Sequence, residues 1–185
     1  DGSNTVKLSS YTGSLTEMEI PSHVTYENGV WMEGDDYTVV GLADAVQFGQ
    51  YEIGSILRDS VIKKITLPNT FELIDSYSFG YCRNLRIVDL SNCTRLKSIG
   101  GWAFLNCSGL TSITLPSSLT SIGSFAFSGC SGLTGELDFS NCTSLISIGS
   151  YAFNSCSNLE RIVFPNTTGW YCTRSSTDTS GTNMT

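Results

Sequence analysis

The sequence is poor in the residues that polyanion binding and metal chemistry need. Its 185 residues include one histidine and 10 lysine or arginine residues against 17 aspartate or glutamate residues, which gives a net charge of −7. Nucleic-acid phosphates require clustered basic side chains, so this balance argues against a nucleic-acid partner. It also provides no basic face for a surface of anionic lipid. A zinc site needs clustered ligands, and the single His23 lies far from the cysteines in sequence.

Long apolar runs are missing as well. No run approaches the roughly 18 residues that a membrane-spanning helix needs, so we expect no membrane insertion by this segment. No signal peptide is visible, but the chain begins at Asp1 rather than at methionine. We interpret it as a trimmed piece, in which a missing signal says nothing about export. At this length, one domain is expected.

Proline is scarce, and its spacing is regular. The chain contains four prolines, separated by 47, 48 and 49 residues: Pro21, Pro68, Pro116 and Pro165. Each follows a short apolar step, and proline ends a strand because it cannot donate to a hydrogen-bond ladder. This spacing indicates an internal repeat in which two types of unit alternate.

The repeat is visible across the middle of the chain. Each copy opens with two apolar residues in period-2 alternation, which is typical of a half-buried strand. An isoleucine, an aromatic residue two positions before a phenylalanine, and a cysteine three positions after it then follow. One unit cannot bury this apolar face alone, so stacked units form a solenoid in the size range of leucine-rich repeats. The four copies, of 23 to 26 residues, are 63–85, 86–110, 111–133 and 134–159, with a partial copy from Glu160.

The pattern IxLPxxLxxIGxxAFxxCxxL resembles the BspA-like, or Treponema pallidum-type, leucine-rich repeats of surface proteins. The resemblance covers about residues 63–165, and the later GWYCTRSSTDTSGT is similar to the segment that follows such repeats in some bacterial members. It implies a β-rich repeat solenoid of the α/β class, a right-handed leucine-rich-repeat superhelix with a curved parallel sheet on its concave face. It also implies an extracellular or cell-surface role in a host-associated bacterium, and it supplies no catalytic residue.

Residues 1–62 are predicted to form an N-terminal cap. Met18 and Ile20 precede a proline like a degenerate first strand, and Leu42 takes the place that an isoleucine holds in later copies. Asn28-Gly29 between β-rich flanks predicts a hairpin, because type I′ turns need positive φ.

We predict that the repeats occupy 63–165 and that 166–185 form a C-terminal cap with a polar tail. In this cap Trp170 and Tyr171 are expected to cover the last core layer. Terminal repeats are atypical because they close the open ends of the core.

Six of the seven cysteines recur at two repeat positions, and we interpret them as buried free thiols that act as small hydrophobes. Adjacent turns stack within the Cα range of a disulfide, so a bridge such as Cys107–Cys130 stays open at this point. Cys172 lies outside the ladder and is predicted to be the most exposed thiol. The six are Cys82, Cys107, Cys130 and Cys156 at one position, and Cys93 and Cys142 at the other.

The sequence offers no catalytic group. Asp89 and Asp138 are expected two turns apart, roughly 10 Å, which is too far for a retaining carboxylate pair and slightly beyond an inverting one. His23 is expected at the surface, and the core position of the thiols opposes their activation. We therefore predict a protein that is not an enzyme and binds no cofactor or metal.

Two extended surfaces remain as candidate binding sites. The first, which we call the concave face, comprises the outward residues of the first strands: Lys64, Thr66, Ile87, Asp89, Ser112, Thr114, Glu136, Asp138, Arg161 and Val163. The second, the aromatic column, comprises Tyr77, Trp102, Phe125 and Tyr151. The first is either a binding surface or a merely soluble face. The second is either a contact patch or a set of rings that stack on one another and shield the core.

The leading functional hypothesis is a non-enzymatic domain that mediates adhesion. Its expected partner is a surface or matrix protein, or a glycan, of the host or of a neighbouring cell. The alternative is a structural spacer or display module of a larger surface protein, in which other parts do the binding.

Overall fold

The computed structural model of the chain describes residues 62–165 in full and, outside that range, the backbone of seven short strands. Five of these strands precede the repeats: β1 Thr5–Leu8, β2 Glu17–Glu19, β3 His23–Glu27, β4 Val30–Glu33 and β5 Tyr37–Leu42. Two follow them: β15 Tyr171–Cys172 and β16 Thr182–Asn183.

Each repeat contributes two very short strands, joined by turns. The first strands are β6 Lys64–Thr66, β8 Ile87–Asp89, β10 Ser112–Thr114, β12 Gly135–Asp138 and β14 Leu159–Val163. The second strands are β7 Leu73–Ile74, β9 Ser98–Ile99, β11 Ser121–Ile122 and β13 Ser147–Ile148. Residues 62–165 contain no helix. Because proline cannot donate to a ladder, Pro68 and Pro116 follow the first strands of their copies closely.

Equivalent strands of successive turns pair in parallel at every described junction except that of β10 and β12, which confirms the predicted repeat solenoid. Ile65, Val88 and Ile113 are register partners across β6, β8 and β10. The second strands form one four-stranded sheet in the order β7, β9, β11, β13. The first strands form two sheets, one of β2, β6, β8 and β10 and one of β12 and β14.

The core is a set of columns that run along the solenoid. The central residue of each of β6, β8, β10 and β12 is buried, while its neighbours reach solvent at least in part, as period-2 alternation predicts. The rings of Phe79, Phe104, Phe127 and Phe153 stack with centroids 4.9, 5.1 and 5.3 Å apart. Such stacking adds about 0.5–1.5 kcal/mol per pair beyond the burial of area.

A third main-chain ladder joins the corners of the turns. Alternate N–H groups there donate to the next turn: Tyr77 N to Gly101 O at 3.3 Å, and Phe79 N to Ala103 O at 2.8 Å. The N–H groups between them bond three residues back within their own turn, as Ser78 N does to Asp75 O at 3.3 Å. The corner therefore satisfies its backbone without a helix.

The cysteine position is part of this corner. All six cysteines within 62–165 are free and buried, as predicted. The thiols of Cys107, Cys130 and Cys156 donate to the carbonyl oxygens of Phe79, Phe104 and Phe127 at 2.9, 3.1 and 3.1 Å. Cysteine suits this position because it is a small hydrophobe with a weak donor.

The N-terminal strands bear out two predictions. β2 pairs in parallel with β6, with Met18 opposite Ile65, so a degenerate first strand does extend the sheet. β3 and β4 form an antiparallel hairpin that pairs Glu27 with Val30 across Asn28-Gly29. β5 pairs in parallel with β1. At the other end, β15 and β16 pair antiparallel.

Some predictions fall on residues that the structure does not describe. The predicted cover of the last core layer by Trp170 and Tyr171 is one, and the polar tail is another, because Trp170 lies outside the described residues and only the backbone of Tyr171 is described.

The central ring column predicts the effect of a core mutation. Phe127 is 0% exposed and stacks on rings on both sides. We expect Phe127→Ala to cost about 3–5 kcal/mol, a large share of the about 5–15 kcal/mol that an ordinary domain has. Urea unfolding followed by circular dichroism measures the loss, with the exposed Ser117→Ala as control. A midpoint equal to that of the parent would show that the Phe127 layer does not hold the stack together.

Candidate binding surface

The first strands place the predicted concave-face residues in two rows. Lys64, Ile87 and Ser112 are register partners in one row, and Thr66, Asp89 and Thr114 follow in the second. Strand spacing sets about 4.8 Å between neighbours in a row. All ten predicted residues are exposed or half-buried, so the structure leaves each of them in contact with solvent.

The concave face is interrupted between β10 and β12. Among the described strands, β10 ends one sheet and β12 begins another. The cause is visible in the spacing, because the closing leucine precedes the central strand residue by three positions from Leu110 to Ile113 but by four from Leu133 to Leu137. The extra residue falls at Gly135, where φ is +64° and the register with β14 shifts.

A depression of about 290 Å³ opens at this interruption. Four of the ten predicted residues line it: Ser112 and Thr114 on one side, and Glu136 and Asp138 on the other. The structure thus brings these four together at one site. The other six lie along the rest of the face. The rest of the lining is Thr111, Ile113, Leu115, Leu133, Thr134, Leu137, Asn141 and Leu159.

The acidic side chains of the face are held by local bonds. Asp89 Oδ1 accepts hydrogen bonds from Ser91 Oγ at 2.7 Å and Ser91 N at 3.0 Å, and Asp138 Oδ1 accepts one from Ser140 N at 2.7 Å. These bonds favour the charged form. The hydroxyl and then the amide of Ser91 lower the pKa of Asp89, and the amide and then the hydroxyl of Ser140 lower the pKa of Asp138. Both carboxylates are therefore ionised at neutral pH.

Glu136 also has a partner on the face. Arg161 of the neighbouring strand β14 forms an ion pair with its Oε2. Both side chains are well exposed, so this pair adds little to stability. It leaves Asp138 as the acidic side chain of the depression without an ion-pair partner among residues 62–165.

The aromatic column is a continuous stack. Tyr77, Trp102, Phe125 and Tyr151 follow one another with centroids 5.3, 5.7 and 5.0 Å apart and interplanar angles of 2°, 3° and 18°. Each inner ring is therefore covered on both faces and meets solvent only at its edges. This geometry agrees with the expectation that the rings stack on one another, while a contact role remains a proposal.

All four residues of the aromatic column have a left-handed backbone, with φ between 55° and 60°. This conformation is rare for residues other than glycine. It directs the N–H group along the solenoid, and Trp102 N donates to Ser124 O of the next turn at 3.0 Å. Four positions later the backbone is left-handed again, at Tyr81, Asn106, Gly129 and Ser155.

The buried thiols are poor nucleophiles. Burial raises the pKa of Cys93 to about 11, with a smaller effect of the Asp89 charge. Burial likewise raises the pKa of Cys156 to about 11, with a smaller effect of Cys130. Burial, together with the neighbouring thiols Cys130 and Cys82, raises the pKa of Cys107 well above its ordinary value. These groups stay protonated at neutral pH, and thiolate is the reactive form.

The described residues offer neither a metal site nor a membrane-spanning helix. They contain no group of three or more histidine, cysteine, aspartate or glutamate side chains that could hold a metal ion. They also contain no helix of the length and apolarity that crossing a membrane requires. The side chain of His23 lies outside the described set, and the prediction that the protein is not an enzyme stays a prediction.

The prediction from sequence missed two features of this surface. One is the interruption between β10 and β12, for which the extra residue at Thr134-Gly135 was an available signal. The other is the left-handed backbone of the aromatic column, which had a weaker signal in Asn106 and Gly129 at the equivalent second position. Both residue types are enriched where φ is positive.

Residues 55–174 match a family model described as BspA type leucine-rich repeat region, in six copies. This match covers more than half of the chain. A comparison with curated protein sequences found no significant match.

Three solved structures have a similar fold. A leucine-rich repeat protein of Treponema pallidum is 24% identical with a TM-score of 0.66, and the match covers 86% of this chain and 63% of that one. One from Bacteroides ovatus is 27% identical with a TM-score of 0.67, covering 89% and 38%. A leucine-rich cell surface protein of Faecalibacterium prausnitzii is 24% identical with a TM-score of 0.55, covering 88% and 51%. The chain thus spans less than two thirds of the length of each.

The bonds to Asp89 predict a pH effect. Ser91→Ala removes the hydroxyl donor, so we expect the pKa of Asp89 to rise toward its unfolded value of about 3.9. A lowered folded-state pKa means that the carboxylate stabilises the fold above the unfolded pKa and loses this contribution as the pH falls through the folded pKa. The Tm difference between parent and variant should therefore be constant above about pH 5 and shrink below about pH 4.

A carbon-detected NMR titration of the Asp89 carboxyl group measures this pKa directly, with Ser117→Ala as the matched control. An Asp89 pKa that is the same in parent and Ser91→Ala would mean that the hydroxyl bond has no electrostatic role.

The cysteine geometry predicts selective reactivity. In denaturant without reductant, we expect most of the seven thiols to react with a chromogenic disulfide reagent. The native protein should react mainly at Cys172, because the other six are buried away from the reagent. Recovery of three disulfides by mass spectrometry would contradict the free-thiol ladder.

Proposed function

Since this chain belongs to the BspA type of leucine-rich repeat proteins, we propose that it is a non-enzymatic surface module that binds a partner macromolecule through its concave face. The proposed location is extracellular or at the cell surface, and the proposed role is adhesion of a host-associated bacterium. The partner is a surface or matrix protein, or a glycan, of the host or of a neighbouring cell. The description of the Faecalibacterium prausnitzii protein as a cell surface protein supports this location.

The observation that carries the proposal is the depression between β10 and β12. A regular solenoid presents equivalent strands at equal spacing. Here the sheet of first strands stops at β10, and four exposed residues of the concave face surround the open space before β12. Strand irregularities are over-represented next to functional sites. Since the outward side chains are not needed for the core, they are free to serve recognition.

The charges of the face favour a basic partner. Three carboxylates, of Asp89, Glu136 and Asp138, lie on it against two basic groups, those of Lys64 and Arg161, and Arg161 is paired with Glu136. Charges at the rim of an interface chiefly raise the association rate and its dependence on salt. Binding through this face should therefore weaken as ionic strength rises.

The aromatic column is a competing contact surface. Tyr151 is 66% exposed and ends the described stack, and Trp102 is 36% exposed. Because the inner ring faces are covered, a partner would meet ring edges and the outer face of Tyr151. Contacts of this kind depend little on salt.

A spacer or display role is the second candidate function. The observation in its favour is the regular main-chain bonding of every described turn to the next, which a spacer would need in order to hold other parts apart. In this case partner binding would belong to other parts of a longer protein.

An array of matrix proteins, cell-surface proteins and glycans, probed with the labelled chain at two salt concentrations, tests the proposed function. We expect salt-sensitive binding to at least one basic protein, and heat-denatured chain is the control. Complete absence of binding would favour the display role.

The two surfaces predict opposite mutant patterns. Asp89→Ser with Asp138→Ser should weaken binding of a basic partner, while the Tm stays within a few degrees because both sites are at the surface. If the aromatic column is the contact, Trp102→Ala with Tyr151→Ala should abolish binding, and salt should matter little. Surface plasmon resonance with both double variants distinguishes these outcomes. A partner whose affinity neither pair changes would show that both surfaces are structural.

A further inference from the structure

The floor of the depression is slightly more exposed than the equivalent residues of the paired strands. Ile113, Leu115 and Leu137 are 9%, 8% and 6% exposed. The equivalent residues in the unbroken part of the sheet, such as Val88 and Leu90, are 0% exposed. The interruption between β10 and β12 therefore exposes a small apolar strand surface that the paired strands β6 and β8 bury completely or almost completely.

The rim of the depression is polar and carries charge of one sign. Ser112 and Thr114 stand on the β10 side, and Glu136 and Asp138 stand on the β12 side. The lining contains no lysine or arginine. Arg161 engages Glu136 from the far strand, so Asp138 is the acidic group that remains for a ligand.

From this juxtaposition we propose that the depression between β10 and β12 binds a lysine or arginine side chain of a protein partner. The proposal rests on the proposed binding role of the concave face and assigns the partner's chemistry. Such side chains have an apolar stem and a charged head. The stem lies on the floor of Ile113, Leu115 and Leu137, and the head reaches the Asp138 carboxylate and the rim hydroxyl groups.

The state of Asp138 suits this role. Its Oδ1 accepts the amide hydrogen of Ser140, which fixes the carboxylate at the rim. The same bonds lower the pKa of Asp138, so the group is charged wherever a lysine or arginine is charged. Hydrogen bonds in which both partners are ionised are shorter and stronger than neutral ones.

Asp89 provides an internal comparison. It occupies the same strand position two turns earlier, and Ser91 holds it as Ser140 holds Asp138. Its strand, β8, has paired neighbours on both sides, and its core is closed. The charge is thus present in both places, but of the two carboxylates only Asp138 borders the interruption of the sheet.

The probe is the peptide acetyl-Gly-Arg-Gly-amide, and its neutral citrulline analogue is the matched control. We expect the arginine peptide to shift the backbone amide NMR signals of Thr114, Gly135 and Asp138 in the full chain. The citrulline peptide should cause no such shifts. Equal shifts with both peptides, or shifts that lie elsewhere, would overturn the proposal.

Two variants test the geometry. Asp138→Ser should weaken the arginine peptide about tenfold, because a hydrogen bond to a charged group is lost. Deletion of Gly135 restores the three-residue spacing, so β12 can pair with β10 and the shifts should vanish. Glu72→Gln removes a carboxylate outside the lining and should leave the peptide affinity unchanged.

The variants also separate a local site from a general charge effect. If Glu72→Gln weakens the peptide as much as Asp138→Ser, only the net charge matters and the site is refuted. If the Gly135 deletion folds with an unchanged or higher Tm and still binds the peptide, the depression is not the site. If the Gly135 deletion does not fold, the peptide affinity of Asp138→Ser, compared with that of Glu72→Gln, decides whether the site exists.

Failure of this inference differs from failure of the proposed function. If a protein partner from the array binds through the concave face and its affinity is unchanged by Asp138→Ser, the site for a basic side chain is refuted and the surface role stands. If the arginine peptide binds at the depression but the chain binds no macromolecule on the array, the site for a basic side chain stands and the adhesion role is refuted.

Discussion

Main-chain hydrogen bonding between successive turns sets the position of every side-chain column in the solenoid. Three ladders carry it: the first strands, the second strands and the corner at which Tyr77 N reaches Gly101 O. Each ladder keeps equivalent residues of successive turns in register, and their side chains therefore stack in columns. The Phe127 column, the thiol column and the aromatic column are three results of one register, and each turn is stabilised chiefly by its neighbours.

The candidate site is the place where one of these ladders fails while the other two continue. β9, β11 and β13 pair without a break, and the corner bonds from Phe127 N to Ala152 O persist beside the gap at 2.8 Å. The interruption is therefore confined to the concave side. This arrangement holds the rim residues on a rigid frame, which is the condition that precise recognition needs.

Much of the fold was predictable because its signals repeat. The columns of Ile122, Phe127 and Cys130 follow from the spacing alone, and Asn28-Gly29 predicts its hairpin by the demand for positive φ. The interruption between β10 and β12 was not predicted, because a turn usually accommodates an extra residue such as Gly135 without changing the strands beside it. Only the pairing of the strands shows that this turn did not. The sequence left two interpretations of Trp102 open because ring orientation depends on its left-handed backbone.

The extra residue before β12 has a consequence for how such arrays diversify. Duplication of a repeat copies its surface together with its core, so newly duplicated copies are redundant. Substitutions remove this redundancy slowly, because most positions belong to a column shared with both neighbours. One extra residue at Thr134-Gly135 distinguishes one junction from the other junctions that the structure describes while the second strands remain paired. A change of one residue in the length of a turn can thus give one junction of a repeat array its own surface while the shared core columns stay in register.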